Sequence, residues 1–191
     1  MRIWVSLGLT LAAGTCATAD VIEFTDRDEW IAAAGTFTTI DFTGFPAGTF
    51  ITDQFSNLGV TFTGGNEHIF FSNAFPNDGA GLLSSFVDIQ IEFATPQFWI
   101  AVDFPGIIQF ELFSGGQLIF TSSGLGVGGA SNFGGLLSTE PFDMAVILDP
   151  TDMTVGIDDL HFGPPVPGPP AVALLALAGV LPCRRRRQTY L

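Results

Sequence analysis

Lysine is absent from the 191-residue chain, and basic side chains are scarce in its central part. Between residues 20 and 163, Arg27 is the only arginine, whereas all 19 aspartates and glutamates of the chain fall in this range, which gives it a formal net charge of −18. Such a surface repels phosphate backbones, so the composition excludes nucleic acid as a partner. The mutual repulsion of the acids also disfavours compaction, and bound divalent cations would relieve it.

Cysteine is missing from the same range, because Cys16 and Cys183 both lie outside it. An exported domain without cysteine has no disulfide bonds, so burial of a core, with or without a metal ion, must stabilise it. Core material is plentiful, since all 20 phenylalanines lie between residues 20 and 163. A length of roughly 140 residues is enough to bury a hydrophobic core.

The N-terminus has the pattern of a secretory signal. Met1 and Arg2 give a positively charged start, residues 3–13 are mostly apolar, and residues 17–19 have the small-x-small form that a signal peptidase prefers. We therefore expect residues 1–19 to be a signal peptide that is cleaved between Ala19 and Asp20, and the protein to be exported.

Alternating apolar and polar residues predict that residues 20–163 are built from strands. Residues 87–93 alternate strictly, and residues 98–104 are nearly apolar on both faces, as in a central strand. Gly115 and Gly116 predict a hairpin between strands at 107–113 and 118–122. Further strands are predicted at residues 21–25, 37–42, 60–63, 69–72, 142–148 and 153–157, and the glycine-rich residues 124–135 are predicted to be a flexible loop.

One short helix is predicted near the N-terminus of this region. Asp26 followed by Glu29 fits a variant of the capping box, and Gly35 stops the helix. Together with about ten short strands, this pattern predicts an all-β fold: an antiparallel β-sandwich of jelly-roll type with one short N-terminal helix. The sandwich, residues 20–163, would be flanked by the signal peptide and by a C-terminal hydrophobic sorting helix.

Residues 164–191 have three parts: a proline-rich linker, an apolar run and an arginine cluster. The apolar run, residues 171–183, would form a helix of about 20 Å, which is short of the ~30 Å hydrocarbon core of a bilayer. The arginines would hold the end of the chain on the cytoplasmic side of a membrane. The segment is therefore a weak permanent anchor, although an ordinary single-pass anchor is an alternative.

This tail resembles the PEP-CTERM sorting signal of bacterial envelope proteins. The resemblance covers residues 166–187 and rests on Val166, Pro167, Gly168 and Pro169, on Leu174 and Leu175, and on Arg184, Arg185, Arg186 and Arg187. Gly168 stands where the glutamate of that family usually falls. Residues 42–63 and 155–163 also resemble the mostly uncharacterised β-sandwich ectodomains that precede such tails.

The resemblance implies a partner and a location. An exosortase-like membrane protease would process the signal while the C-terminal helix lies in the inner membrane. The protein would then reach the bacterial cell envelope, the cell surface or the exopolysaccharide matrix, and exopolysaccharide is the second partner that the resemblance implies.

Paired acids make calcium the best cofactor candidate. Glu23 lies on the first predicted strand, and Asp158 and Asp159 continue the last one. In many sandwiches these two strands are neighbours, and facing carboxylates would need a cation such as Ca²⁺ between them. Glu23, Asp158 and Asp159 are therefore candidate ligands of a structural Ca²⁺, and the alternative is that they are solvated at strand ends.

Trp99 is the candidate ligand contact. It lies on the face that Ala101 and Asp103 share, so if this face meets solvent, an exposed aromatic ring stands beside an acid and can contact carbohydrate. The alternative is a place in the core.

Catalytic signatures are weak. Asp88 and Glu92 lie roughly 13 Å apart on a strand, whereas a retaining glycosidase needs its carboxyls ~5–5.5 Å apart. The match of residues 124–129 to GxGxxG has no helix after it, and the two histidines have no zinc spacing. We therefore expect no catalytic residues: a non-enzymatic surface or matrix protein that is structural or adhesive. The alternatives are a specific carbohydrate-binding module and a small envelope glycoside or ester hydrolase.

Overall fold

The structure is a computed structural model that describes residues 19–70, 82–129, 131–151 and 154–164. Nearly all of the predicted signal peptide and the whole predicted sorting signal, including its hydrophobic helix, lie outside these residues. No helix within the described ranges is long and apolar enough to cross a membrane.

The described residues form one α-helix, one 3₁₀ turn and ten strands. Helix α1 spans Arg27–Ala34, and the 3₁₀ turn spans Ser56–Leu58. The strands are β1 Val21–Phe24, β2 Thr38–Ile40, β3 Val60–Phe62, β4 His68–Phe70, β5 Leu82–Ser85, β6 Asp88–Phe104, β7 Gln109–Ser114, β8 Gln117–Thr121, β9 Asn132–Leu148 and β10 Val155–Gly163.

Two long antiparallel strands, β6 and β9, organise the fold because each contributes to both layers. The first part of β6 pairs with β3, the last part of β9 pairs with β7, and β8 pairs with β7. In the other layer the last part of β6 pairs with β10 and the first part of β9 pairs with β1. β10 also pairs with β2 and β5, and β4 pairs with β5. We call this second layer the helix-side sheet.

The main core lies between the two layers. It contains Ile91 and Phe110 from one layer and Ile100 and Leu160 from the other, all fully buried. A second apolar cluster lies on the outer face of the helix-side sheet. There α1 buries Trp30 and Ala34 against the sheet residues Trp99, Ala101 and Phe133.

The boundaries of α1 confirm the prediction from the capping pattern. The Asp26 carboxylate accepts a hydrogen bond from the Glu29 N–H at 2.9 Å, and the Gly35 N–H donates to the Ile31 carbonyl at 3.3 Å. The predicted fold class is confirmed as well: an all-β antiparallel sandwich of jelly-roll type with one short N-terminal helix.

Two local predictions are wrong. The strands predicted at 87–93 and 98–104 belong to one strand, β6. Thr95 and Pro96 are exposed where the pairing of β6 with β9 is interrupted. Because no hydrogen bond to β9 is needed at this point, the missing N–H of the proline does not break the strand. Residues 132–135 are not a flexible loop but the start of β9. Gly135 pairs there with Ala101, and its missing side chain leaves room for the Trp30 ring.

Candidate functional site

An open groove of about 570 Å³ lies on the outer face of the helix-side sheet, beyond the area that α1 covers. We call it the aromatic groove. The lining residues that matter for its chemistry are His68, Phe70, Ser84, Phe86, Asp149 and Gly156.

Strand alternation places these side chains in the groove. Ile69 and Leu83 point into the main core, so His68 and Phe70 of β4 and Ser84 of β5 lie on the opposite face. Ser84 pairs with His68 on one side and with Gly156 of β10 on the other. The small residues at the centre of this row form the floor of the groove, and the aromatic side chains rise on one side of it.

The aromatic side chains are unusually open to solvent. Phe86 is 69% exposed and Phe70 49%, and the ring of His68 lies 5.6 Å from that of Phe86 with an interplanar angle of 30°. Phe50, 61% exposed, continues the row at 6.1 Å from the His68 ring. Exposed large aromatic residues grouped around a concave surface are typical of a binding site.

A few polar groups accompany the rings. The Nδ1 atom of His68 lies 2.9 Å from the Asn66 carbonyl oxygen, so Nδ1 donates and Nε2 is left as an acceptor. The Ser84 hydroxyl donates to the Val155 carbonyl at 3.1 Å. Asp149 contributes the only carboxylate among the described residues that line the groove. The groove is thus mainly apolar with a small number of fixed polar atoms.

Trp99 lies on the predicted face, beside Ala101, but this face does not meet solvent, so the condition for a ligand contact is not met and Trp99 takes the alternative place in a buried apolar cluster. Helix α1 covers this face, and Trp99 is only 4% exposed. Its indole ring lies over Gly163, where a β-carbon would overlap it. The reason is that Trp30 on α1 needs an apolar surface to bury against, and Trp99 is part of that surface.

The predicted calcium ligands are not brought together. Glu23 is on β1, and β9 and β6 lie between β1 and β10, so the assumption that the first and last strands are neighbours is wrong. The Glu23 carboxylate instead accepts the Ser123 N–H at 2.8 Å. Asp158 and Asp159 lie at a bulge of β10, where Asp159 has a φ of 46° and donates its N–H to Asp158 at 2.9 Å.

No part of the described chain groups three or more histidine, cysteine, aspartate or glutamate side chains around a possible metal position. Calcium binding itself stays a prediction.

A polar cluster lies beside α1, on the same face of the sheet. Arg27, the only arginine or lysine among the described residues, forms an ion pair with Asp103, and its Nη1 donates to Nε2 of His161 at 3.1 Å. The Nδ1 of His161 therefore carries the proton and donates to the Thr39 hydroxyl at 2.8 Å. Burial, followed by the nearby Arg27, lowers the pKa of His161 from 6.5 to about 4. Arg27 is thus engaged within the fold.

The class of protein defined so far is an antiparallel β-sandwich with an aromatic groove on one face. Neither a protein-family model nor a curated protein matches the chain. Among solved structures, it is similar to two variants of the family 29 carbohydrate-binding module CBM29-2. One is 14% identical with a TM-score of 0.44, covering 68% of this chain and 92% of the module; the other is 11% identical with a TM-score of 0.41, covering 66% and 91%. Similarity at this level carries no information about the function of this chain.

Sequence reasoning missed the residues of the groove. The alternation of His68, Ile69 and Phe70 separates the middle residue from its neighbours, but it does not show which face is buried. Strand β5 was not predicted, and Phe86, directly after it, could not be told from a core phenylalanine. Neither pattern indicates that β4, β5 and β10 meet.

Proposed function

We propose that residues 20–163 form a non-catalytic domain that binds carbohydrate in the aromatic groove. The observation that carries the proposal is the exposure of Phe70 and Phe86 beside the small-residue floor of Ser84 and Gly156. A monomeric soluble domain rarely leaves large aromatic side chains together in water without a partner for them.

Sugar rings suit this surface better than an apolar peptide does. The C–H face of a pyranose can stack on a flat phenyl ring, while its hydroxyl groups need donors and acceptors nearby. The groove provides both: exposed ring faces on Phe70 and Phe86, and polar atoms on His68, Thr154 and Asp149. An apolar peptide anchor, by contrast, would need a deep desolvated pocket.

Binding without catalysis is the part of the proposal that separates it from a hydrolase. Glycoside hydrolysis uses two carboxyl groups that flank the scissile bond. The described lining of the groove offers one, Asp149, whose Oδ1 already accepts the Thr151 N–H at 2.7 Å and the Thr151 hydroxyl at 2.6 Å. This arrangement supports a binding role.

The location of the protein is also part of the proposal. The N-terminal signal and the PEP-CTERM-like tail support export, processing by an exosortase-like protease, and a final position at the cell surface or in its exopolysaccharide matrix. There a carbohydrate-binding groove would make the protein an adhesive component of the matrix.

The experiment is the replacement of each exposed ring. Phe86→Ala and Phe70→Ala should each weaken binding to a retained polysaccharide about tenfold, because a lost stacking contact of about 1.4 kcal/mol corresponds to that factor. Affinity electrophoresis in gels that contain neutral polysaccharides measures the change, and thermal melting checks the fold.

The matched control is Leu118→Ala on β8, an apolar side chain that is 52% exposed and outside the groove. It should leave the affinity unchanged. Equal affinity of the wild-type protein and both phenylalanine variants, with intact melting, would remove the groove as the binding site. Release of reducing sugars that depends on Asp149 would show a hydrolase instead.

A further inference from the structure

We infer that the aromatic groove selects uncharged polysaccharide chains and rejects acidic ones, an inference that rests on the proposed carbohydrate binding. The inference concerns the preference of the groove for ligands of a given charge. Stacking on Phe70 and Phe86 does not set this preference, whereas the charges of the domain do.

An acidic chain would find no unengaged arginine or lysine to pair with on the described surface. Arg27 is the only arginine or lysine there, and it is held by Asp103 and His161 and lies 5.0 Å from the centre of the Phe133 ring. Residues 20–163 carry a net charge of −18, so each carboxylate of an acidic polysaccharide would approach a surface of its own sign. The repulsion extends over a Debye length of about 10 Å at ~0.1 M salt.

The groove itself adds a charge of the same sign. The carboxylate of Asp149 is held in place by the two hydrogen bonds from Thr151. A sugar hydroxyl can donate a hydrogen bond to a carboxylate, whereas a carboxylate of an acidic sugar cannot. Asp149 therefore favours a ligand rich in hydroxyl groups and disfavours one that carries carboxylates at the same place.

The test compares polymers that share a backbone and differ in charge. Hydroxyethylcellulose with carboxymethylcellulose, and dextran with carboxymethyl-dextran, are the probes. The protein is the full chain with arginines 184–187 changed to glutamine, so that this cluster cannot bind the acidic polymer.

We expect the neutral member of a pair to bind at least about tenfold more tightly at ~20 mM salt, and the difference to shrink to about threefold at ~0.5 M, because salt screens repulsion and leaves stacking intact.

Two aspartates with the same local structure provide matched variants. Asp149 and Asp41 each accept hydrogen bonds from the N–H and the hydroxyl of the threonine two residues on, Thr151 and Thr43, so asparagine preserves the acceptor in both. Asp149→Asn should tighten binding of the acidic polymers about threefold at low salt, the effect of one unit charge roughly 7 Å away in water. Asp41→Asn, outside the groove, should leave the affinity unchanged.

The outcomes separate the inference from the function on which it rests. If no neutral polymer binds, the proposed carbohydrate binding falls and the inference with it. If a neutral polymer binds in a way that depends on Phe86 but its acidic partner binds equally well at low salt, only the inference falls. Binding of an acidic polymer that appears with Ca²⁺ and disappears with chelator would overturn it as well, in favour of a bridging cation.

Discussion

At the scale of single residues, the buried polar groups show what sequence patterns cannot reach. Glu67 is 1% exposed because its carboxylate accepts the N–H groups of Gly64, Asn66 and Gln90 at 2.9, 3.0 and 3.1 Å. The first two partners are local, but Gln90 lies on β6, 23 positions away in the chain. His161 likewise depends on Arg27, which is 134 positions away in the chain. Such partners are set by the tertiary fold, so a sequence reading can note the side chains and not their pairing.

His161 makes stability depend on pH. Its pKa in the folded state, about 4, is below the unfolded value of 6.5, so the unfolded chain takes up the proton first as the pH falls. The contribution of His161 to the free energy of unfolding is therefore complete above pH 6.5, decreases between pH 6.5 and 4, and changes no further below that. The loss is at most about 3 kcal/mol.

The measurement for His161 is urea unfolding at several pH values between 4 and 7.5, on the wild-type protein and on His161→Gln. Glutamine cannot titrate, yet it keeps an acceptor for Arg27 and a donor for Thr39. The pH dependence that both proteins share belongs to titrating groups other than His161. The difference in the free energy of unfolding between the two proteins should change only between pH 6.5 and 4 and stay constant outside this range, and parallel curves would contradict the assignment.

At the scale of elements, helix α1 could be predicted because its signals are local. Asp26 caps the first turn and Gly35 ends the helix, as the sequence indicates. The existence of most strands was predictable from alternation, with β5 an exception because its sequence does not alternate. The continuity of β6 through Pro96 was not predictable, because a proline is compatible with a strand only where the neighbouring strand needs no N–H. The place where α1 docks was also missed, since it depends on Trp99 and Gly135 of distant strands.

The docking of α1 predicts the effect of a methyl group at Gly135. A β-carbon there would overlap the Trp30 ring, so Gly135→Ala should displace the helix and lower the free energy of unfolding by about 2 kcal/mol. Chemical unfolding gives the energy, and tryptophan fluorescence reports the displaced indole. Gly128→Ala is the control, because a β-carbon at Gly128 meets no atom within 4 Å. Equal stability of the two variants would show that α1 does not pack on Gly135 as described.

At the scale of the whole molecule, the ends of the described domain and the aromatic groove lie at opposite ends of the helix-side sheet. Val21 pairs with Ser138 on β9, and Gly163 pairs with Trp99, which pairs with Leu137, so the chain enters β1 and leaves β10 at the same end of the sheet, with β9 and β6 between them. The groove begins at Gly156, seven residues before Gly163 and about 20 Å away along β10. Composition predicted the acidity of this molecule, and alternation predicted its layers. Only the assembled sheet shows that the ends of the domain and the groove lie at opposite ends.

Because the domain ends and the groove lie at opposite ends of the sheet, we predict that the cellular location of the protein and its polysaccharide binding can be separated. Deleting residues 165–191 removes the proposed sorting signal from the end of the sheet that is remote from Phe70 and Phe86, so polysaccharide affinity should stay within about twofold of the full chain. The protein should at the same time be lost from the membrane-containing envelope fraction, because the apolar segment and its arginines are gone, whereas the groove should still let it bind matrix polysaccharide. Cell fractionation followed by affinity electrophoresis of the recovered protein measures both.

A tail in which only arginines 184–187 become glutamine is the matched control and should release less of the protein from the envelope fraction. Unchanged fractionation after the deletion would contradict the sorting role, and lost affinity of a folded domain would contradict the independence of the groove.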